Sequence, residues 1–440
     1  MKVKLITVKN LGLLICLIYI LLRPFLNTYV TEYIKYIFIL VMVYFAEKGI
    51  TSKRILKEIG YGVIVICGLF SLYALISSLM VGGFELATYS LERYVFYMIP
   101  LFVVPTVQKR VDWDSTLNFL TWYGVVDALI SITEFVIHRQ LIPIEGVTHS
   151  VVQQFGDNSI RTFGLNGDYF LLAELLCFCG FAALYMYCNQ KKKIHMLKFI
   201  IISIGIFTTG SRGYYVAFAI GLGVFYILYN LNLGKPKKFL FKMGIAFVIV
   251  IIALLVVFMT DYKTGINGID TVLARARSIV DFSGNYANAK RLQHWVYSIN
   301  KWKTHPLLGN GASITDIRYT HFEMVTESGL FKRLVELGII GTVLQYLSMI
   351  VLIVRGYRLF RKTNVKDNLL YIFFFAVIAT LATEDMVLQR YGEIEFTIVI
   401  WSALAFVGTY KKSKFSKEAA FPQRNDRYLS IKQGENGLCR

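Results

Sequence analysis

Apolar runs of about 18 to 21 residues recur along the whole chain, the length an α-helix needs to cross the hydrocarbon core of a bilayer. With 56 % of its residues hydrophobic and only 17 % charged, a soluble fold of this length would expose too much apolar surface. The sequence therefore predicts an all-α polytopic membrane protein. The six cysteines imply neither a disulfide framework nor a metal site, since Cys177 and Cys179 point to different sides of a helix.

Taking basic loops as cytoplasmic orders the runs into about twelve transmembrane helices. Expected spans run near 10–27, 32–46, 60–81, 89–107, 117–137, 168–188, 199–209, 214–231, 241–259, 334–354, 370–383 and 396–410. The formal charge of +19 then needs no nucleic acid, because most Lys and Arg lie in short loops beside spans. Arg23-Pro24 follows the first run with no small-residue cleavage site after it, so a retained span is expected there. Both termini fall in the cytoplasm. The membrane domain occupies 1–410, and the polar, basic tail 411–440 is expected to be disordered.

One stretch breaks the pattern. Residues 261–330, between spans nine and ten, form an outer loop far longer than a connection needs, and such loops commonly carry binding or chemistry. Within it, 288–304 has a helical stripe of Arg291, Trp295, Ser298 and Trp302, which suits an interfacial amphipathic helix and equally a binding face. Pro306-Leu-Leu-Gly-Asn-Gly311 is a turn by composition. His321 opens the run into span ten. On one continuous helix Glu327 lies about 240° round from it, so the two meet only if the helix starts after His321 or bends at Gly329.

Two further stretches reach the same side. Arg212, in Thr-Gly-Ser211-Arg212-Gly213, sits at an outer helix end that the positive-inside rule does not explain. It either snorkels to headgroups or grips a phosphate bidentately, with Gly210 and Gly213 admitting a ligand. Arg161-Thr-Phe-Gly164-Leu-Asn166 precedes span six.

Together these stretches resemble the O-antigen polymerase and O-antigen ligase superfamily of bacterial membrane glycosyltransferases. The resemblance rests on Arg161-x-x-Gly164 with Asn166, on Ser211-Arg212-Gly213, and on Arg291-x-x-x-Trp295. It continues through Pro306-Leu-Leu-Gly-x-Gly, His321, Glu327-Ser and Leu337-Gly-Ile-Ile-Gly341, over about residues 160 to 345. One position departs: the ligases usually have Asn after the histidine, and here Phe322 follows His321.

The resemblance implies a glycan on undecaprenyl diphosphate as substrate, at the outer face of the bacterial inner membrane. It implies that Arg212 and Arg291 hold the diphosphate and that His321 acts at the acceptor hydroxyl. Arg161 and Ser211 are further candidate substrate-binding residues, and of His321 and Glu327 the neutral imidazole is the better base near neutral pH, which leaves Glu327 to position. No metal or other cofactor is expected, because fixed arginines serve the leaving charge. A repeat-unit polymerase is expected over a ligase or a flippase. The lipid bilayer, a flippase and a chain-length regulator are its expected partners.

Overall fold

The structure, a computed structural model, describes residues 43–44, 46–47, 49–108, 111–141, 161–166, 168–234, 270, 286–316, 319, 326–363, 368–388 and 394–410. Among these residues every regular element is a helix. We label them α1 (Lys53–Ile59), α2 (Tyr61–Ser90), α3 (Pro100–Val107), α4 (Trp113–Ile137), α5 (Tyr169–Gln190), α6 (Lys193–Thr208), α7 (Arg212–Asn232), α8 (Tyr286–Thr304), α9 (Gly329–Lys362), α10 (Asn368–Val387) and α11 (Ile394–Thr409). A π-helical turn, Leu91–Val95, and a 3₁₀ turn, Phe96–Met98, join α2 to α3. Six described stretches are long and apolar enough to cross a membrane, among them α4, α5, α7, α9 and α10. The expected spans at 10–27 and 241–259, most of 32–46, and the tail lie outside the described residues.

Local signals set the helix starts. Asp112 caps α4, accepting from the Ser115 backbone N–H at 3.3 Å and from its hydroxyl at 2.7 Å. Asp168 caps α5, accepting from the Phe170 N–H at 2.6 Å; both acids satisfy donors that a helix start leaves open. Helix α10 is apolar around its whole circumference from Leu369 to Ile378 and is buried there, as such a helix must be. Phe373, Phe374, Trp113 and Phe406 interlock along it. Against α7 it comes so close that a Cβ on Gly221 would collide with Thr380, the small-residue contact typical of membrane helix pairs.

The helix ends gather into two sets. At one end the Arg355 guanidinium donates to the Ile59 carbonyl, Gln108 donates to Thr409 at 3.1 Å, and Asn368 donates to Asn232 at 2.8 Å. At the other, Ser131 meets Thr162 at 2.5 Å and Thr208 at 2.6 Å, and the Ser328 hydroxyl donates to the Met386 carbonyl at 2.8 Å. Among the described residues, the first end carries Lys57, Arg361 and Lys362 in the last turns of their helices, and the second carries Arg161, Arg212 and Arg291.

Two sequence boundaries shift. Spans expected at 60–81 and 89–107 are joined by helix well past Val81, with the bend at Gly83 (φ +63°). Span ten starts at Gly329, not near Leu334, and breaks at Gly338 (φ +61°, ψ −169°). That break frees backbone groups inside apolar surroundings, where each would be costly.

The Pro306–Gly311 stretch takes up these groups. Asn310 N–H donates to Val335 O at 2.8 Å and Gly311 N–H to Glu336 O at 3.1 Å. In return Ile339 N–H donates to Pro306 O at 3.0 Å and Ile340 N–H to Leu307 O at 3.2 Å. The Tyr73 hydroxyl shares its proton between Leu308 O (2.7 Å) and Leu337 O (2.8 Å). The turn is thus a backbone plug in a broken helix. A Cβ on Gly309 (φ +77°) would collide with the backbone of Glu336 and Gly338.

Gly309→Ala should therefore destabilise by about 1–3 kcal/mol, combining left-handed backbone strain with a backbone clash. Gly223→Ala, at a helical site with nothing near its missing Cβ, should be neutral or slightly stabilising. Thermal unfolding of the detergent-purified variants measures the contrast.

Candidate active site

Arg161 opens a turn that α4 holds by two buried carboxylates. Glu134 accepts from the N–H groups of Phe163 (2.9 Å) and Gly164 (3.0 Å). Asp127 accepts from Leu165 N–H and from the Asn166 side-chain amide, both at 2.8 Å. Gly164 has φ +53°, and a Cβ there would collide with Asp127. The glycine and asparagine of the motif are thereby accounted for: they let a polar turn dock on carboxylates. Arg161 itself lies over the Tyr169 ring, 4.4 Å from its centroid, a cation–π contact.

Ser211 is the N-cap residue of α7 and Arg212 its first residue. Gly210 has φ +67°, which makes the sharp entry into the helix. Gly213 has a different role from the one its sequence position suggested. The space of its missing Cβ is taken by the Glu384 carboxylate, with oxygens at 2.7 and 3.0 Å, so it admits a neighbouring helix and not a ligand. The Ser211 hydroxyl is buried without a hydrogen-bond partner among the described residues. Arg212 is half-buried beside it.

Helix α8 brings Arg291 and Trp295 to this end. Arg291 Nε pairs with Glu327 at 3.2 Å, and Trp295 Nε1 donates to the Glu327 carbonyl at 3.2 Å. Trp302 Nε1 donates to Pro306 O at 3.0 Å. The stripe expected on α8 therefore faces the chain that leads into α9, while Leu292 and Val296 are exposed on its other side. Glu327 is not helical: its φ is +47°, and α9 starts two residues later. The requirement that the helix start after His321 is met. His321 itself and Glu323 lie outside the described residues.

The structure also adds residues. His294 is buried with Nδ1 3.6 Å from Glu327; its i+3 spacing from Arg291 was the signal that it shares that face. Asp385 pairs with the buried Arg333 at 2.6 Å, and a Cβ on Gly329 would collide with it. Neighbouring residues of α10 thus touch the start of α7 through Glu384 and the start of α9 through Asp385. The charges of both Arg161 and Arg291 act on the Tyr169 hydroxyl. Arg161, Arg212, Arg291 and Glu327 accordingly share one end of the bundle, and Arg291–Glu327 is the direct contact among them. Among the described residues no group of His, Cys, Asp or Glu suits a metal ion.

Among the described residues the chain is all-helical with several membrane-length spans, the make-up of a multi-pass membrane protein. Residues 197–346, from α6 to the middle of α9, match the family model described as O-antigen ligase. The match covers about a third of the chain and supports the O-antigen polymerase and ligase superfamily that the motif set resembles. No curated protein matches the chain.

Asp127→Ala should release the 162–166 turn, leaving two donors without their acceptor. It should cost about 1–3 kcal/mol in thermal unfolding. Glu327→Gln, breaking a half-exposed pair, should cost under about 1 kcal/mol.

Proposed function

We propose that the chain is a polymerase that joins oligosaccharide repeat units carried on undecaprenyl diphosphate, at the outer face of the bacterial inner membrane. The observation that carries this reading is the gathering of Arg161, Arg212 and Arg291 at one end of the bundle, away from the basic loops at the other. An acceptor hydroxyl attacks the anomeric carbon of the donor glycan. The new glycosidic bond forms as the bond from that carbon to the diphosphate breaks, and the electron pair leaves with undecaprenyl diphosphate. Negative charge therefore grows on the leaving group, where Arg212 and Arg291 hold it in a site of low dielectric. The hydroxyl proton goes to neutral His321. Glu327 restrains Arg291 through the 3.2 Å pair, which suits a positioning role better than that of the base. No metal enters this scheme.

The ligase reading, transfer of a finished glycan to a different acceptor, is favoured by the description of the matching family. The acceptor decides: purified protein in liposomes with a labelled lipid-linked repeat unit alone should lengthen the glycan. No growth until a second type of acceptor is added would establish the ligase. Translocation without growth would establish a flippase. The same reading places both termini, including the tail 411–440, in the cytoplasm, with a flippase and a chain-length regulator as partners.

Arg212→Lys and Arg291→Lys should each cut chain growth at normal expression, because an ammonium cannot reproduce a bidentate fork. His321→Ala should lower the rate about 10²–10⁴-fold with substrate still bound. Sidedness is checked separately. A single cysteine replacing exposed His305 should react with an impermeant reagent in intact spheroplasts, whereas one replacing Arg358 should react only after permeabilisation.

A further inference from the structure

The same end of the bundle holds a second set of cations that this reaction scheme does not use. Arg93 lies in the π-helical turn Leu91–Val95, a local form frequent at functional sites. Lys332 lies on the first turn of α9. Two neighbours fix the cluster around them. The Tyr94 hydroxyl and Thr315, through its hydroxyl and its N–H (3.2 Å), donate to the Glu336 carboxylate. Next to those two residues, Arg93 Nε pairs with Asp316 at 2.9 Å. Lys332 precedes Glu336 by one helical turn and so joins the same face. Among the charges acting on its ammonium, that of Arg93 is the strongest, ahead of Glu336, Asp316 and Arg333.

The donors of this cluster are incompletely used. Arg93 Nη1 is buried with no hydrogen-bond partner among the described residues. Lys332 is 2 % exposed, and no hydrogen bond or ion pair joins its ammonium to a described residue. Two carboxylates lie in the cluster: Glu336, which accepts from Tyr94 and Thr315, and Asp316, the ion-pair partner of Arg93; both attract the Lys332 ammonium. Arg333 is turned to Asp385 (2.6 Å) and Gln345 (2.9 Å). Buried donors are ordinarily paired, and Arg93 Nη1 is not. An anion between Arg93 and Lys332 would accept from both.

We propose that Arg93 and Lys332 form a second anion site, for a phosphate-class group carried on a lipid. Its occupant is the diphosphate of the second lipid-linked substrate, an assignment that rests on the polymerase reading above. Lys332 follows Glu327 closely in the chain. On this assignment Arg291 and Glu327 serve the donor, and Arg93 and Lys332 serve the acceptor. A polymerase needs both, since each of its substrates carries a diphosphate.

The test is equilibrium binding of labelled inorganic diphosphate to the full-length protein in phosphatidylcholine nanodiscs. Two sites are expected in the wild type. Lys332→Met should weaken one at least about tenfold, the loss of one charge-assisted contact, while Arg212→Ala weakens the other. The Met variant should melt like the wild type, because the ammonium has no hydrogen bond to lose; if it does not fold, Lys332→Gln is measured in the same way. Two sites persisting in a folded Lys332 variant, or one wild-type site lost only in Arg212→Ala, would overturn the proposal. One site lost only in the Lys332 variant would support it and overturn the role given to Arg212. Undecaprenyl diphosphate should displace the Lys332-dependent ligand. Displacement by phosphatidylglycerol alone would assign the site to a lipid headgroup and overturn the acceptor assignment.

Discussion

The docking of the 305–316 stretch on α9 depends on an exchange of backbone hydrogen bonds across the break in that helix. A helix in an apolar environment cannot open its ladder without new partners for the freed groups. Here Val335 and Glu336 carbonyls receive N–H groups from Asn310 and Gly311, and Ile339 and Ile340 donate back to Pro306 and Leu307. The exchange joins the long loop to the span that follows it. It sets where α8 ends, through Trp302 on Pro306, and keeps Thr315 and Asp316 against Glu336 and Arg93. Under the proposed reaction, this seat fixes the described charged side chains near it, as electrostatic stabilisation of a leaving group requires.

The second constraint is the management of buried carboxylates. Asp127 and Glu134 are fully buried yet satisfied, because each binds backbone or amide donors of the 162–166 turn. Glu336 is satisfied in the same manner by Tyr94 and Thr315. Such groups are expensive in a membrane domain unless fully bonded. Their cost is met by polar turns that dock from one end of the bundle. The acids hold the turns, and the turns present the arginines.

Several features were legible in the sequence. Hydropathy alone located the hairpin of α6 and α7, since a bilayer-length apolar run admits few other folds. The motif set located the stretch that matches the family model. Arg291, Trp295 and Trp302 were assigned to one face by helical period, and that face does meet Glu327 and Pro306. Other features were not legible. Gly213 looked like a ligand contact because no local rule reveals that Glu384, 171 positions further along, fills its space. Arg93, Lys332 and Glu336 read as ordinary residues near span ends, since their partners are distant in sequence.

What the sequence by itself determined is the class: the lengths of its apolar runs dictate a helical membrane protein, and its glycines and charges mark one polar loop. The tertiary structure decided what those glycines and charges do. Gly309 and Gly338 are separately just a turn and a helix breaker. Only their apposition turns two local defects into one lock, because the backbone groups each leaves open are complementary in direction and spacing. In the same way the sequence supplied arginines and acids that gather at one end of the bundle. Which of them are paired, as Arg291 is, and which keep an open donor, as Arg93 does, follows from long-range packing that no local period encodes.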